Sequence, residues 1–224
     1  MARRTKAAAA VTREHLLDAA QRVFREHGVT RTSLAEVATA AGVTRGAVYW
    51  HFKDKAALFT AMCDRATLPL DAMLEAAGNE KSDDPLDALR RLMVGALQYL
   101  ANDARTQAVF EVIFHKTELC GALGEAAGCR DRERSGCLRQ VEKLVRQAAA
   151  SGQLPADTDA ALATHLLHAS ISGLMREWVL DPGAYDLARV APALADCIIA
   201  GLVAQSPRTE RVLPRVRPRA TAAA

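Results

Sequence analysis

Aromatic residues are scarce in this chain of 224 residues, where Phe, Trp and Tyr together make up 4%. β-branched residues are also few, whereas Ala, Leu, Arg and Glu are abundant, and this balance favours helices over strands. The sequence has no uninterrupted apolar run of about 18 residues and no secretory signal at its start. Half of the residues are nevertheless hydrophobic, which excludes a disordered or collagen-like chain. We therefore expect a globular, all-α protein that stays in the cytoplasm.

Cysteines are few and lack the spacing of a redox or metal site. The chain holds five, an odd number without a CxxC pair, so we expect reduced thiols rather than disulfides or a zinc site. His165 and His168 stand three residues apart and could bind a metal together with His115 or Glu111, but the spacing fixes no third ligand. We expect neither a metal nor a cofactor.

Charge is distributed unevenly along the chain, although the net charge is only +3. The first sixty residues carry ten basic and five acidic side chains, and residues 206–224 carry five arginines and one glutamate. The middle of the chain is therefore net acidic. A basic N-terminal part suits a polyanionic partner such as DNA, whereas the acidic body does not. The Pro- and Arg-rich residues 206–224 are predicted to form a basic, disordered tail.

Capping residues and glycines divide the N-terminal part into short helices. Thr12 predicts the start of a first helix that ends at Gly28, preceded by a loose basic arm before about residue 10. Ser33 and Glu36 form a capping box that opens a second helix, which Gly42 ends. A third helix covers about 45–52 and a fourth about 53–78. Breakers further on predict helices at about 85–101, 105–115, 118–127, 130–151, 157–180 and 184–205.

Residues 32–52 combine the features of a helix-turn-helix. Two short helices flank a turn that contains Gly42, and the small residues Ala38 and Ala47 stand where the helices should touch. The outer face of the second helix of this pair, which is the third helix of the chain, has little apolar surface and much hydrogen-bonding capacity. Such a face suits a DNA groove better than a core. The predicted DNA-contacting residues are Thr32, Ser33, Thr44, Arg45, Gly46, Tyr49, Trp50, His51 and Lys55.

The second helix of this pair, which begins at Thr44, is predicted to read bases from its first turn onwards. Arg45 can bind the O6 and N7 atoms of guanine together, and Gly46 permits close approach of the backbone. Thr44 and Tyr49 can contact a thymine methyl group or a phosphate. Phe52, in contrast, is predicted to be a core residue.

The remaining predicted contacts are with the sugar-phosphate backbone. Trp50 and His51 stand at the rim of the recognition surface. Lys55 opens the fourth helix, where its ammonium and the helix dipole can both engage a phosphate. Thr32 and Ser33 are expected to act in the same way at the start of the second helix.

These residues resemble the DNA-binding signature of the TetR family nearly residue for residue, particularly its AcrR-like branch of multidrug-efflux repressors. The similarity lies in TSLAEVA at 32–38 and AGVTRGAVYWHFKDK at 41–55, and extends more weakly through SGQLP at 151–155 and YDL at 185–187. The resemblance implies about nine helices, a dimer through the last two helices that binds a palindromic operator, and a C-terminal ligand cavity.

We accordingly divide the chain into three parts. A helix-turn-helix DNA-binding domain is expected at 10–56, a ligand-binding and dimerisation domain at 57–205, and the basic tail at 206–224. The last two predicted helices are apolar on most sides, which indicates a subunit interface beside the internal core. In the first of them, one apolar stripe contains Leu162, Leu166, Ala169 and Gly173.

The ligand cavity is predicted where the middle helices face one another. Aromatic and methionine side chains there suit small lipophilic or cationic compounds, although each one taken alone is also compatible with ordinary core packing. The predicted ligand-binding residues are Leu89, Met93, Ala96, Leu97, Phe110, Ile113, Phe114, Cys137, Val141, Ile171, Met175 and Trp178.

The sequence thus predicts a ligand-responsive transcriptional repressor and not an enzyme. It contains no Gly-rich phosphate loop, no Ser-His-Asp order and no metal spacing. Two alternatives stay open at this point: a DNA-binding activator or architectural protein without a small-molecule signal, and a regulator of a metabolic pathway with a different ligand.

Overall fold

The computed structural model describes residues 2–79, 84–117 and 122–208, with the backbone alone at 2–6, 79 and 122–135. Within these ranges the chain forms nine α-helices and no strand, which confirms the all-α prediction. The helices are α1 (Ala2–His27), α2 (Leu34–Ala40), α3 (Arg45–His51), α4 (Lys55–Asn79), α5 (Pro85–Asn102), α6 (Ala104–His115), α7 (Ala122–Ala150), α8 (Ala160–Leu180) and α9 (Leu187–Ala204).

The first helix is longer than predicted. It begins at Ala2, so the prediction of a loose arm before residue 10 is wrong. Thr12 is not a cap, because its hydroxyl donates a hydrogen bond to the Ala8 carbonyl 3.0 Å away, one turn earlier in the same helix. The alanines at 7–10 have the highest helix propensity of all residues and extend the helix towards the N-terminus. The helix ends as predicted at Gly28, where φ is +82°.

The long helix α7 also differs from its prediction. The two helices expected at 118–127 and 130–151 are one continuous helix from residue 122, and Gly128 does not break it; residues 118–121 lie outside the described residues. A glycine inside a helix costs only about 1 kcal/mol relative to alanine, less than long-range packing can supply. In α4 and α9, Pro69 and Pro192 likewise stand within continuous helices.

The buried side chains form three clusters. The first joins α1, α2, α3 and the start of α4 to three residues of α6, namely Val109, Val112 and Ile113. The other two form the core of the body from buried residues of α5 to α9, against which Leu70, Leu74 and Ala77 of α4 also pack. Both α4 and α6 therefore take part in the packing of the helix-turn-helix end and of the body.

The outward faces of α8 and α9 are apolar. The stripe predicted on α8 is exposed, with side-chain exposure of 40% at Leu162 and 49% at Leu166. By length and composition alone, α9 is apolar enough to cross a membrane. It packs against α5, however, and its Asp196 forms an ion pair with Arg90 of that helix.

The chain continues beyond α9 in contact with the body. The Pro207 carbonyl accepts a hydrogen bond from the Asp159 amide at 2.8 Å, and Arg208 lies 2.8 Å from the Asp157 carboxylate. The predicted disordered tail therefore does not begin at residue 206, because these two contacts hold its first residues. Residues 209–224 lie outside the described residues.

Candidate nucleic-acid interface and ligand cavity

Local hydrogen bonds shape the helix-turn-helix. The Ser33 hydroxyl accepts from the Glu36 amide at 3.2 Å, and the Glu36 carboxylate accepts from the Ser33 amide at 2.7 Å, which completes the predicted capping box. The hydrogen bonds that the Glu36 carboxylate accepts from the Ser33 amide and from the Ser33 hydroxyl lower the pKa of Glu36. Gly42 adopts φ +67°, a conformation that favours glycine, and turns the chain into α3. Thr44 caps α3 by accepting from the Ala47 amide at 3.2 Å.

The outer face of α3 is exposed in the way that the sequence predicts. Thr44, Arg45 and Gly46 face solvent, as do Tyr49 and Trp50, the latter with 72% of its surface exposed. Large rings on a surface, without an apolar neighbour to cover them, are typical of a binding face. On the opposite side of the helix-turn-helix, Val48 is buried, and the predicted core residue Phe52 is buried as well.

Arg45 and Tyr49 are already in contact on this face. The guanidinium of Arg45 lies over the Tyr49 ring, 5.5 Å from its centroid, and donates a hydrogen bond to the Tyr49 hydroxyl at 3.3 Å. A cation held over an aromatic ring keeps fewer conformations, so Tyr49 restricts the positions that the Arg45 side chain can take. The two predicted contacts therefore form one unit.

Gly46 has open space at the position where another residue would carry a side chain. A Cβ atom built on Gly46 would have only the Thr44 hydroxyl within 4 Å, at 3.9 Å. Nothing inside the described protein requires glycine at this position.

His51 stands at the edge of the exposed face and is half-buried. Its ring packs edge-on against Trp50 with ring centroids 4.5 Å apart. Burial lowers the pKa of His51, and the nearby charge of Arg13 lowers it further. His51 is therefore a neutral hydrogen-bonding group at physiological pH rather than a cation for phosphate.

The structure corrects the predicted roles of Lys55 and Thr32. The Lys55 ammonium donates to the carbonyls of Val29, Thr30 and Thr32 at 2.8, 2.9 and 2.8 Å, which uses all three of its protons. The side chain of Thr32 is buried, and its hydroxyl donates to the Gly28 carbonyl at 2.8 Å. Both side chains thus fix the loop between α1 and α2 instead of facing a phosphate. Ser33 stays exposed at the start of α2.

A cavity of about 420 Å³ lies among α4, α5, α6, α7 and α8. Its volume is within the range of sites for drug-sized ligands. Ten of the twelve residues predicted from the sequence line it. They are Leu89, Met93, Ala96, Phe110, Ile113, Phe114, Cys137, Val141, Ile171 and Met175.

The other two predicted residues do not line the cavity. Leu97 is fully buried in the neighbouring core cluster, where Trp178 also packs. The Trp178 indole donates a hydrogen bond to the Tyr185 carbonyl at 3.0 Å, so its polar edge is used to hold the connection between α8 and α9. Residues on one face of a helix can pack into two neighbouring parts of the body. Their spacing in the sequence does not show which of them line the cavity and which pack into the adjacent core.

Sequence reasoning missed one whole wall of the cavity, which belongs to α4. Its members recur at intervals of three and four residues, a helical-face signal that was present but not interpreted. They are Cys63, Thr67, Leu70, Asp71 and Leu74. The remaining described lining residues are Leu92, Leu167, His168 and Ser172.

The helices that line the cavity are tied to the DNA-binding end. On α4, Arg65 lies 2.9 Å from the carboxylate of Asp18 and 3.1 Å from that of Glu14, both on α1. On α6, Glu111 accepts a hydrogen bond from Arg25 of α1 at 2.6 Å. Ion pairs thus join α4 and α6, which both line the cavity, to α1, the helix against which α2 packs.

An exposed recognition helix at one end and a ligand-sized cavity in a separate helical body define a class of helix-turn-helix protein with a built-in sensor domain. Residues 16–62 match the family described as bacterial regulatory proteins, tetR family. Residues 84–203 match the C-terminal region of MAATS-type transcriptional repressors. The chain belongs to the TetR family of transcriptional regulators, which confirms the resemblance.

Similar proteins are regulators of the same kind. The chain is 38% identical over 194 residues to the HTH-type transcriptional regulator AcrR of Shigella flexneri, covering 85% of this chain and 89% of the relative. It is similar to NalD, the secondary repressor of the MexAB-OprM multidrug efflux pump in Pseudomonas aeruginosa, at 32% identity, a TM-score of 0.74 and coverage of 86% and 97%. A complex of SmeT with triclosan matches at 31% identity, a TM-score of 0.75 and coverage of 93% and 97%.

Proposed function

We propose that this protein is a cytoplasmic, dimeric repressor of a multidrug efflux operon, released from its operator by a small lipophilic compound, and that it has no catalytic activity. The observation that carries the proposal is the position of α4. This one helix is tied through Lys55 and Arg65 to the DNA-binding end, and it forms a wall of the cavity further along. The repression of efflux pumps by the relatives NalD and SmeT supports the choice of target.

The DNA-binding surface in this proposal is the outer face of α3 with its flanks. Arg45, positioned by Tyr49, reads a base pair, and Gly46 lets the backbone approach the groove. Thr44, Trp50 and Ser33 contact the sugar-phosphate backbone, and His51 acts as a neutral hydrogen-bonding group. Positive charge near the phosphates comes from the basic first part of the chain, because Lys55 is used inside the protein.

The dimer in this proposal forms through α8 and α9. The exposed stripe on α8 continues into small residues, and Gly173 on α8 and Gly201 on α9 have nothing within 4 Å of a Cβ position. Small residues let two copies of a helix approach closely. A two-fold dimer would present two copies of α3 to successive turns of DNA, roughly 34–36 Å apart, or at a related spacing set by the protein.

Release follows from differential affinity of the ligand for two arrangements of the dimer. A compound in the cavity touches α4 and α6, both of which support α1. The ligand binds best to an arrangement in which the separation of the two α3 helices does not match successive turns of the operator. The ligand and the operator therefore compete. No step requires bond making or breaking.

The test uses an operator selected from random duplexes with the wild-type protein. We expect triclosan, the compound in the SmeT complex, to release the labelled operator in a fluorescence anisotropy titration and to raise the melting temperature of the free protein. Ala96→Phe fills the cavity and should keep operator binding while abolishing release. Ala76→Phe, on an exposed position of α4, is the matched control and should be released normally. Release that is equal in both variants would refute the cavity as the sensor.

The dimer has a separate test. Leu166→Arg places a charge on the exposed face of α8 and should give a monomer in light scattering, with loss of operator binding. Leu68→Arg places the same charge at an exposed leucine of α4 and should stay dimeric. A dimeric Leu166→Arg would show that the subunits associate elsewhere.

A further inference from the structure

The first helix places an arginine at the edge of the exposed face of α3. The guanidinium of Arg13 lies over the Phe52 ring, 5.5 Å from its centroid, where a cation and an aromatic ring attract each other. Phe52 directly follows α3, and its side chain is buried. Arg13 therefore packs against the end of the predicted recognition helix, although the two residues are far apart in the sequence.

The charge of Arg13 also acts on the exposed face of α3. Burial lowers the pKa of His51, and the positive charge of Arg13 lowers it further, so the guanidinium and the imidazole are close enough to interact electrostatically. The His51 ring packs edge-on against Trp50, whose side chain is exposed. Arg13, His51 and Trp50 thus follow one another along one edge of this face.

The positive charge of Arg13 is only partly neutralised within the protein. Its side chain is 44% exposed, and among the described carboxylates only that of Glu14 lies within ion-pair distance, at 3.5 Å. The Glu14 carboxylate also lies 3.1 Å from Arg65, so two guanidinium groups share one negative charge. A guanidinium carries five N–H donors, and those of Arg13 are accessible to a partner.

Arg13 differs from Lys55 in what its charge is used for. The Lys55 ammonium donates to three backbone carbonyls inside the protein, and burial lowers its pKa. The Arg13 guanidinium lies at the surface against the Phe52 ring. A planar guanidinium can bind two oxygens of one phosphate at once, and a side chain that is already positioned loses little conformational freedom on binding. Arg13 is thus better placed than Lys55 for a phosphate contact.

We propose that Arg13 binds a phosphate of the operator beside the groove that α3 enters, and that the Phe52 ring holds the guanidinium in position for this contact. This inference rests on the proposed function, because it adds a contact to the same DNA-binding surface. A phosphate contact carries no sequence information, so Arg13 fixes the position of α3 in the groove and leaves the choice of bases to α3. A two-fold dimer makes one such contact in each half-site.

The first experiment measures the salt dependence of DNA binding by the full-length protein. Arg13→Met removes the charge and keeps an unbranched side chain over Phe52, whereas Arg13→Lys keeps the charge. In anisotropy titrations with the selected operator and with a random duplex, Arg13→Met should lose affinity for both by the same factor, about tenfold per protomer in roughly 0.1 M salt. Its salt slope should fall by about one per protomer, and Arg13→Lys should restore the wild-type slope.

Controls separate a phosphate contact from a structural role. Arg146→Ala should keep the wild-type slope, because this arginine is exposed on α7 and, like Arg13, lies near a carboxylate of its own helix. Arg13→Gln removes the same charge through a different side chain and should reproduce the slope of Arg13→Met. A lower melting temperature with an unchanged salt slope would mean that Arg13 only covers Phe52, which overturns the proposal. A loss confined to the operator would mean that Arg13 reads bases, which also overturns it.

A second experiment locates the phosphate. A set of operator duplexes carries a neutral methylphosphonate in place of one phosphate, at each position in turn. We expect one position in each half-site at which the replacement weakens binding of the wild-type protein but not of Arg13→Met. If Arg13→Met stays sensitive at every position that matters to the wild type, the assignment is overturned.

These outcomes separate the Arg13 contact from the proposed function. If triclosan releases the wild-type protein from its operator while Arg13→Met has the wild-type salt slope, the repressor proposal stands and the Arg13 contact fails. If Arg13→Met lowers the slope as expected but triclosan does not release the operator, the Arg13 contact stands and the proposed release mechanism fails.

Discussion

The helix-turn-helix and the cavity are built in opposite ways. Each cap and turn of the helix-turn-helix joins residues a few positions apart, as in the Ser33–Glu36 box and the Thr44 cap. The cavity is formed by five helices whose lining residues range from Cys63 to Met175. Local signals thus define the DNA-binding surface, whereas the shape of the cavity is a property of long-range packing.

The two regions also use aromatic residues differently. On α3, Tyr49 and Trp50 are exposed, and Tyr49 positions a cation. In the cavity, Phe110 and Phe114 are part of a mostly apolar lining. In the proposed function, the first surface meets DNA and the second meets a small lipophilic molecule. Substitutions on one region should therefore leave the function of the other intact.

The largest expected effect is on the DNA-binding surface. Arg45→Ala removes the side chain that is predicted to read guanine, and a bidentate contact contributes about 1–3 kcal/mol. We expect operator affinity to fall roughly tenfold to a hundredfold in anisotropy titrations at fixed salt, with dimerisation and triclosan binding unchanged. Arg146→Ala is the control, because this arginine is exposed on α7 and paired with Glu142 of the same helix. Unchanged affinity of Arg45→Ala would remove α3 as the reading helix.

Lys55→Met separates a structural role from a phosphate contact. Loss of three hydrogen bonds from a charged donor should lower the free energy of unfolding by about 1–3 kcal/mol in urea titrations. Operator affinity should fall for all sequences alike, with an unchanged salt slope, because the loop between α1 and α2 is displaced. Lys53→Met, an exposed lysine two residues earlier, should be close to wild type. An unaltered unfolding free energy together with a salt slope reduced by about one would instead restore the phosphate contact.

Sequence reasoning succeeded where structure is local. The boundaries of α2 and α3 follow from the caps at Ser33 and Thr44, and the turn follows from Gly42. The prediction that Phe52 is a core residue is also confirmed, because its side chain is buried. These features depend on chemistry within about four residues, which the sequence displays directly.

Sequence reasoning failed where contacts between residues far apart in the sequence determine the role of a side chain. Lys55 was read as a phosphate ligand from its place at the start of a helix, but carbonyls from 23 to 26 residues earlier occupy its ammonium. Leu97 and Trp178 have cavity-like spacing but pack into an adjacent core. The wall of the cavity that belongs to α4, with Asp71, is not predicted from the sequence. A single carboxylate on a helix is usually solvated, and only the packing of the surrounding helices shows that this one lines a cavity.

A smaller effect tests how closely DNA approaches the recognition helix. Gly46→Ala should raise the free energy of unfolding by about 1 kcal/mol, because alanine is the better helix former and the added Cβ meets only the Thr44 hydroxyl, at 3.9 Å. Operator affinity should nevertheless fall. Gly136→Ala in α7, where the nearest atom to a Cβ lies 3.8 Å away, should be stabilised without any loss of affinity. An affinity that stays constant in Gly46→Ala would show that the groove does not contact the backbone here.

The smallest expected effect concerns the protonation of His51. Burial and Arg13 lower its pKa from 6.5 in the folded state, so the unfolded chain takes up the proton at a higher pH than the folded chain. The free energy of unfolding therefore falls as pH drops below about 6.5, and His51→Gln should reduce that loss by a few tenths of a kcal/mol. The slope is measured in urea titrations of wild type and His51→Gln between pH 7.5 and 5.5. Equal slopes in wild type and His51→Gln would mean that His51 is solvated, and the recognition surface would then gain positive charge in acid.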